Sequence, residues 1–122
     1  MSSRTIEIGY CGFMTTPATR SLQVLACNPS AIDDAARPRY QELRSRLLSA
    51  VRERRELPSG YAFLIDATAI TLPEAAEWMD MERRCCPFLT LQLETSGNEE
   101  NCWLSLSGPA GVKAFLAAEL AF

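Results

Sequence analysis

Apolar and polar residues alternate along Thr5-Ile6-Glu7-Ile8-Gly9-Tyr10, the period of a strand with one buried face. After a turn at Thr16-Pro17-Ala18-Thr19, the stretch Leu22-Gln23-Val24-Leu25-Ala26-Cys27 predicts a second strand. Asn28-Pro29-Ser30 breaks the chain, and Ser30 with Asp33 marks a helix start. The pattern then shifts to the helical period. Tyr40, Leu43, Leu47 and Val51 step by three, four and four and so share one face of a long amphipathic helix. That helix is interrupted or begun afresh at Pro38 and is ended by Pro58-Ser59-Gly60. Tyr61-Ala62-Phe63-Leu64-Ile65 is nearly all apolar, as a strand covered on both faces would be.

The second half carries clearer punctuation. Thr71 offers an N-cap, Glu74 stands three residues on as its capping-box partner, and Pro73 lies in the first turn. The helix they open runs to about Cys86, where Pro87 stops it. Leu89, Leu91 and Leu93 alternate with Thr90, Gln92 and Glu94. After a turn at Ser96-Gly97-Asn98, Cys102, Leu104 and Leu106 alternate in turn with Trp103, Ser105 and Ser107. Together they predict a hairpin. Ser107-Gly108-Pro109 opens a last helix with the stripe Val112, Phe115, Leu116 and Leu120. Glu119 falls on that stripe, close enough to the chain end for its carboxylate to reach water. No internal repeat, linker or low-complexity segment interrupts the pattern. The expectation is one α+β domain over residues 1–122: two layers, a mixed or antiparallel sheet of four to five strands, and three helices on one face.

Composition narrows the function classes. Of 122 residues, 48% are hydrophobic and 22% charged, the balance of a globular chain with a core of its own. No apolar run reaches the ~18–20 residues of a membrane span, and the first residues lack the basic start and apolar stretch of a signal peptide. A cytoplasmic protein without membrane contact is expected. Histidine is absent, which excludes Ser-His-Asp and Cys-His catalysis and His-ligated zinc or iron. Lys113 is the only lysine, so any Schiff-base chemistry would rest on it.

The five cysteines, at 11, 27, 85, 86 and 102, are an odd set for a secreted disulfide framework. In a reducing compartment they are expected as free thiols, metal ligands or redox groups. Adjacent residues are poor disulfide partners, which argues against a Cys85–Cys86 bridge. Both cysteines sit in Glu82-Arg83-Arg84-Cys85-Cys86-Pro87-Phe88. Residues three and four apart are neighbours on a helix, so Glu82, Cys85 and Cys86 can present one oxygen and two sulfurs together. The apolar stripe of this helix comprises Ala75, Trp78, Met79, Cys85 and Cys86, and Glu82 projects near its middle. A carboxylate facing the core must be paired, bind a metal or hold a proton.

Two readings of the cluster compete. Thiolates with a carboxylate suit a soft or borderline ion such as Zn²⁺, Cu(I) or a mercury- or arsenic-like species, with a further cysteine from elsewhere in the fold. Equally, unpaired cysteine is among the most buried residue types, and Glu82 can pair with an arginine from the long helix. Redox or nucleophilic use is disfavoured at a helix C-terminus, whose dipole raises a thiol's pKa. Arg83 is placed to offset that at Cys86, whereas Arg84 points away.

The remaining features change little. Seven of the eleven arginines fall between Arg37 and Arg55, yet the net charge is −3 and the pI about 5.0. A solvated helix face is expected there, not a nucleic-acid site. Gly108-Pro109-Ala110-Gly111 lacks the pattern of a phosphate loop and reads as a turn opening a helix. Trp78, Met79 and Met81 read as core or interface, and Phe122 with Ala117-Ala118 as a small homodimer contact.

The segment Glu82-Arg83-Arg84-Cys85-Cys86-Pro87-Phe88-Leu89, followed by a hairpin and Leu106-Ser107-Gly108-Pro109-Ala110-Gly111-Val112-Lys113, resembles a group of small bacterial proteins of no established activity. They carry Glu-Arg-x-Cys-Cys-Pro-Phe before two strands and a last helix. Cys27 holds the place of their cysteine ahead of an arginine-bearing helix, and Gly60-Tyr61 after Leu57-Pro58 is similar to their turn into the middle strand. The resemblance spans residues 25–120. It implies a shared fold and a shared Cys27, Glu82, Cys85 and Cys86 site. The resulting expectation is a non-catalytic protein binding a soft metal or metalloid ion through Cys85, Cys86 and Cys27, with Glu82 as ligand or anchor. An interaction module with structural cysteines and a thiol-dependent enzyme are the alternatives.

Overall fold

The computed structural model describes residues 28–97 and 100–120. The two strands expected ahead of Asn28 lie outside them, as do Cys11, Cys27 and Phe122. Two single turns of 3-10 helix, Pro29–Ala31 and Asp34–Ala36, lead into helix α1, Arg37–Ala50. Strands β1 (Val51–Leu57) and β2 (Gly60–Asp66) follow, then α2 (Leu72–Cys85), β3 (Thr90–Thr95), β4 (Asn101–Ser107) and α3 (Val112–Leu120). The four strands form one antiparallel sheet in the order β1-β2-β4-β3. With three helices this is the expected α+β fold.

The main departure is at the arginine-rich stretch. The long helix does not run to Pro58: it ends at Ala50, and Val51 through Leu57 form β1. Arg52-Glu53-Arg54-Arg55-Glu56 contains good helix formers and no Gly or Pro, so nothing local marks the boundary. Pairing decides it. β1 lies antiparallel to β2 from Val51 opposite Ile65 to Leu57 opposite Gly60, with Pro58-Ser59 as the connection. Gly60 is required there, because a Cβ on it would stand 1.9 Å from the Leu106 carbonyl oxygen on β4.

Register sorts the side chains. Tyr61, Phe63 and Ile65 lie opposite Leu106, Leu104 and Cys102, while Leu91 and Leu93 lie opposite Leu106 and Leu104, all on one face. The helices cover that face. Leu47 of α1 and Trp78 of α2 border one small cavity with Phe63, Leu104 and Leu106. Lys113 of α3 reaches Glu56 and the Tyr61 ring. On the opposite face Leu64 stands beside Trp103 and is half-buried, while Ala62 is buried.

The seven arginines are tied within the chain. Arg39 spans to Glu77 with two hydrogen bonds of 3.1 and 3.0 Å, and Arg46 to Glu74 with two of 2.6 and 2.8 Å, clasping α1 to α2. Arg37 pairs with Asp34 and Arg52 with Asp66, while Arg44 donates to the Glu119 carbonyl. Arg54 stacks over Tyr61 and Arg55 over Trp103. These guanidinium groups stay substantially exposed while they hold partners within the chain, Arg52 at 47% and Arg55 at 61%. No helix among the described residues is long and apolar enough to cross a membrane.

Candidate functional site

The capping box predicted for α2 is complete. The Thr71 hydroxyl accepts from the Glu74 N–H, and the Glu74 carboxylate accepts from the Thr71 N–H. This fixes the start of a 14-residue helix whose buried side presents Ala75, Trp78, Met81, Glu82 and Cys85. Pro87 ends it as expected. Cys86 turns out of the helix at φ −126° and ψ 74°, its N–H still donating to the Glu82 carbonyl at 2.7 Å. The Cys85 carbonyl, left over at the helix end, accepts from the Asn28 N–H at 2.7 Å.

Glu82 is the one buried charged residue among the described residues, at 7% exposure. Its partner does come from the long helix, but it is a phenol and not an arginine: the Tyr40 hydroxyl donates to Glu82 Oε1 at 2.6 Å. Arg44, the nearest cation in effect, holds the Glu119 carbonyl oxygen at 2.7 Å instead of the carboxylate. Arg83 and Arg84 both bond to Asp80 on the outer face of α2, so neither neutralises the cluster.

The electrostatic consequence runs one way. Burial raises the Glu82 pKa above its ordinary value, opposed by the Tyr40 hydrogen bond and by Arg44. Burial first, and the Glu82 charge second, raise that of Cys85, while the Asn28 N–H opposes them. Burial and Glu82 likewise raise that of Tyr40. Three acidic groups share a desolvated spot that is short of positive charge, and each holds its proton more tightly for it.

The sulfurs differ from the expectation of a set of equivalent thiols. Cys86, fully buried, is disulfide-bonded. Its partner is neither Cys85 nor Cys102, which are free and buried. Cys102 stands on β4 opposite Ile65 and Thr95 within the core, and burial alone raises its pKa. Of the predicted site residues, Glu82 and Cys85 are brought together, Cys86, next in the chain, is a disulfide sulfur, and Cys27 lies outside the described residues. Among the described residues, no three His, Cys, Asp or Glu side chains group as metal donors. Tyr40 is the participant that sequence reasoning placed only in an apolar stripe. A signal existed: Tyr40 and Glu82 are each a polar tip on an otherwise apolar helical face.

Comparison with known protein families, with curated proteins and with solved structures returns no match. The chemistry of the site is therefore the ground for assigning a role.

Proposed function

We propose that the chain is a non-catalytic binder of a soft metal or metalloid ion, whose sulfur donors are Cys85 and Cys86 once the Cys86 disulfide is reduced. The observation that carries the reading is the Glu82 carboxylate, buried beside the Cys85 thiol at the end of α2 and held by Tyr40. The deficit of positive charge supports it, since a bound cation would favour the deprotonated carboxylate and thiolate that burial disfavours. In the disulfide form Cys86 offers no thiolate. A dithiol reductant supplies two electrons and two protons, frees both sulfurs, and is itself closed to a cyclic disulfide. Cys27, implied by resemblance, is the candidate third sulfur.

The test is calorimetric titration of the dithiol-reduced protein with Zn²⁺ and, separately, arsenite, in wild type, Cys86→Ser and Cys102→Ala. Binding at one ion per chain, lost in Cys86→Ser and kept in Cys102→Ala, is expected. Binding that survives Cys86→Ser, or is absent from folded wild type, overturns the proposal. A thiol–disulfide exchange role is the second reading, favoured by the Cys86 disulfide itself. It predicts turnover of a disulfide substrate without retention of either ion.

A further inference from the structure

Among the described residues, the two edges of the sheet differ in character. β1 carries Arg52, Glu53, Arg54, Arg55 and Glu56, all exposed, and its register shifts between Val51 and Glu53. Charge and an irregularity of this kind are the usual guards against strand addition. β3, the other edge among the described residues, has neither. Thr90-Leu91-Gln92-Leu93-Glu94-Thr95 holds one charge and no Lys or Pro, and its register against β4 is unbroken. Beside it runs an open groove of about 350 Å³ between α2 and β3, lined by Ala76, Met79, Asp80, Arg83, Leu89 and Leu91.

From this contrast we infer that β3 pairs with β3 of a second copy, antiparallel about a two-fold axis through Gln92, joining two four-stranded sheets into one of eight strands. The sequence of β3 is complementary to itself in this register. Leu91 falls opposite Leu93 of the other copy on the helix-covered face, where both are only half-buried in one chain. Thr90 falls opposite Glu94, so each carboxylate meets a hydroxyl and not its own copy. Gln92 meets Gln92, whose amide both donates and accepts. A two-fold contact needs a patch that complements itself in this way. The added Leu93 also extends the apolar floor that Met79, Leu89 and Leu91 begin.

The test uses the full chain. Sedimentation across a wide concentration range is expected to show a species of twice the 13.5 kDa chain mass. Gln92→Lys, which sets two ammonium groups face to face, should abolish it. Ser105→Lys, on the same face one strand inward, should leave it intact and so controls for folding and charge. Gln92→Cys should yield a disulfide-linked dimer under mild oxidation, because opposed residues in such a pair stand about 4.5–5.5 Å apart, and Ser105→Cys should not. A dimer that survives Gln92→Lys overturns the inference. So does a monomer at all concentrations; β3 amides that then resist hydrogen exchange would mean that residues of the same chain cover the edge.

Discussion

Replacing Tyr40 by Phe removes a single atom, the oxygen that donates to Glu82 Oε1 at 2.6 Å, and leaves a carboxylate 7% exposed without that donor. A hydrogen bond to a charged group contributes about 1.5–3 kcal/mol, and the variant should lose that much stability near neutral pH. The loss should depend on pH in a definite direction. Burial already holds the folded Glu82 pKa above its ordinary 4.5. A carboxyl shifted this way binds protons more tightly in the folded state, so its contribution to stability declines as pH rises from the ordinary value through the folded one. The Tyr40 bond restrains the shift; without it the folded pKa climbs further and the decline extends to higher pH. In acid, where Glu82 is protonated both folded and unfolded, the penalty should shrink to that of a neutral hydrogen bond, about 1 kcal/mol. Urea titrations of wild type and variant at neutral pH, and again below the ordinary carboxyl range, measure the difference. Glu82→Gln provides the second side of a double-mutant cycle and should reduce the Tyr40→Phe penalty to the acid value. An equal loss at both pH values and in the Glu82→Gln background would refute a charged, Tyr40-held Glu82.

Thr71→Ala should lower stability by about 1 kcal/mol in urea unfolding, since it removes the acceptor for the Glu74 N–H; no change would mean the cap is idle in solution. Gly60→Ala places a Cβ 1.9 Å from the Leu106 carbonyl oxygen, so β2 and β4 must part, and a thermal melt should show a loss of about 1–3 kcal/mol. Arg46, foremost, holds the Glu74 carboxyl down to about 2, so its stabilising effect is full above the ordinary 4.5 and fades as pH falls toward the depressed value. Melting temperatures of wild type and Glu74→Gln should therefore converge in acid, and a gap that stays constant across that range would contradict the ion pair.

The elements legible in the sequence are those with a local signal. Thr71, Pro73 and Glu74 announce the start of α2 within four positions, Pro87 its end, and the period-two run from Leu89 to Leu106 the hairpin. β1 was not legible, because Arg and Glu favour a helix intrinsically and only the ladder to β2 makes Val51–Leu57 a strand. Glu82 declared itself as a charge on an apolar face. Its partner did not, since Tyr40 lies 42 residues away and reaches it only through the packing of α1 on α2. That Cys86 stands in a disulfide while Cys85 next to it stays a thiol depends on which chain segments meet at the end of α2. Spacing alone carries no such information.

On the proposed function, the end of α2 becomes a soft-ion site when Cys86 is reduced. Native mass spectrometry of the same preparation, oxidised and dithiol-reduced, with arsenite added to each, tests it most directly. One arsenic per chain is expected in the reduced protein and the bare mass in the oxidised one. A bare mass in both states, with the reduced protein still folded, would contradict it, as would equal binding in both.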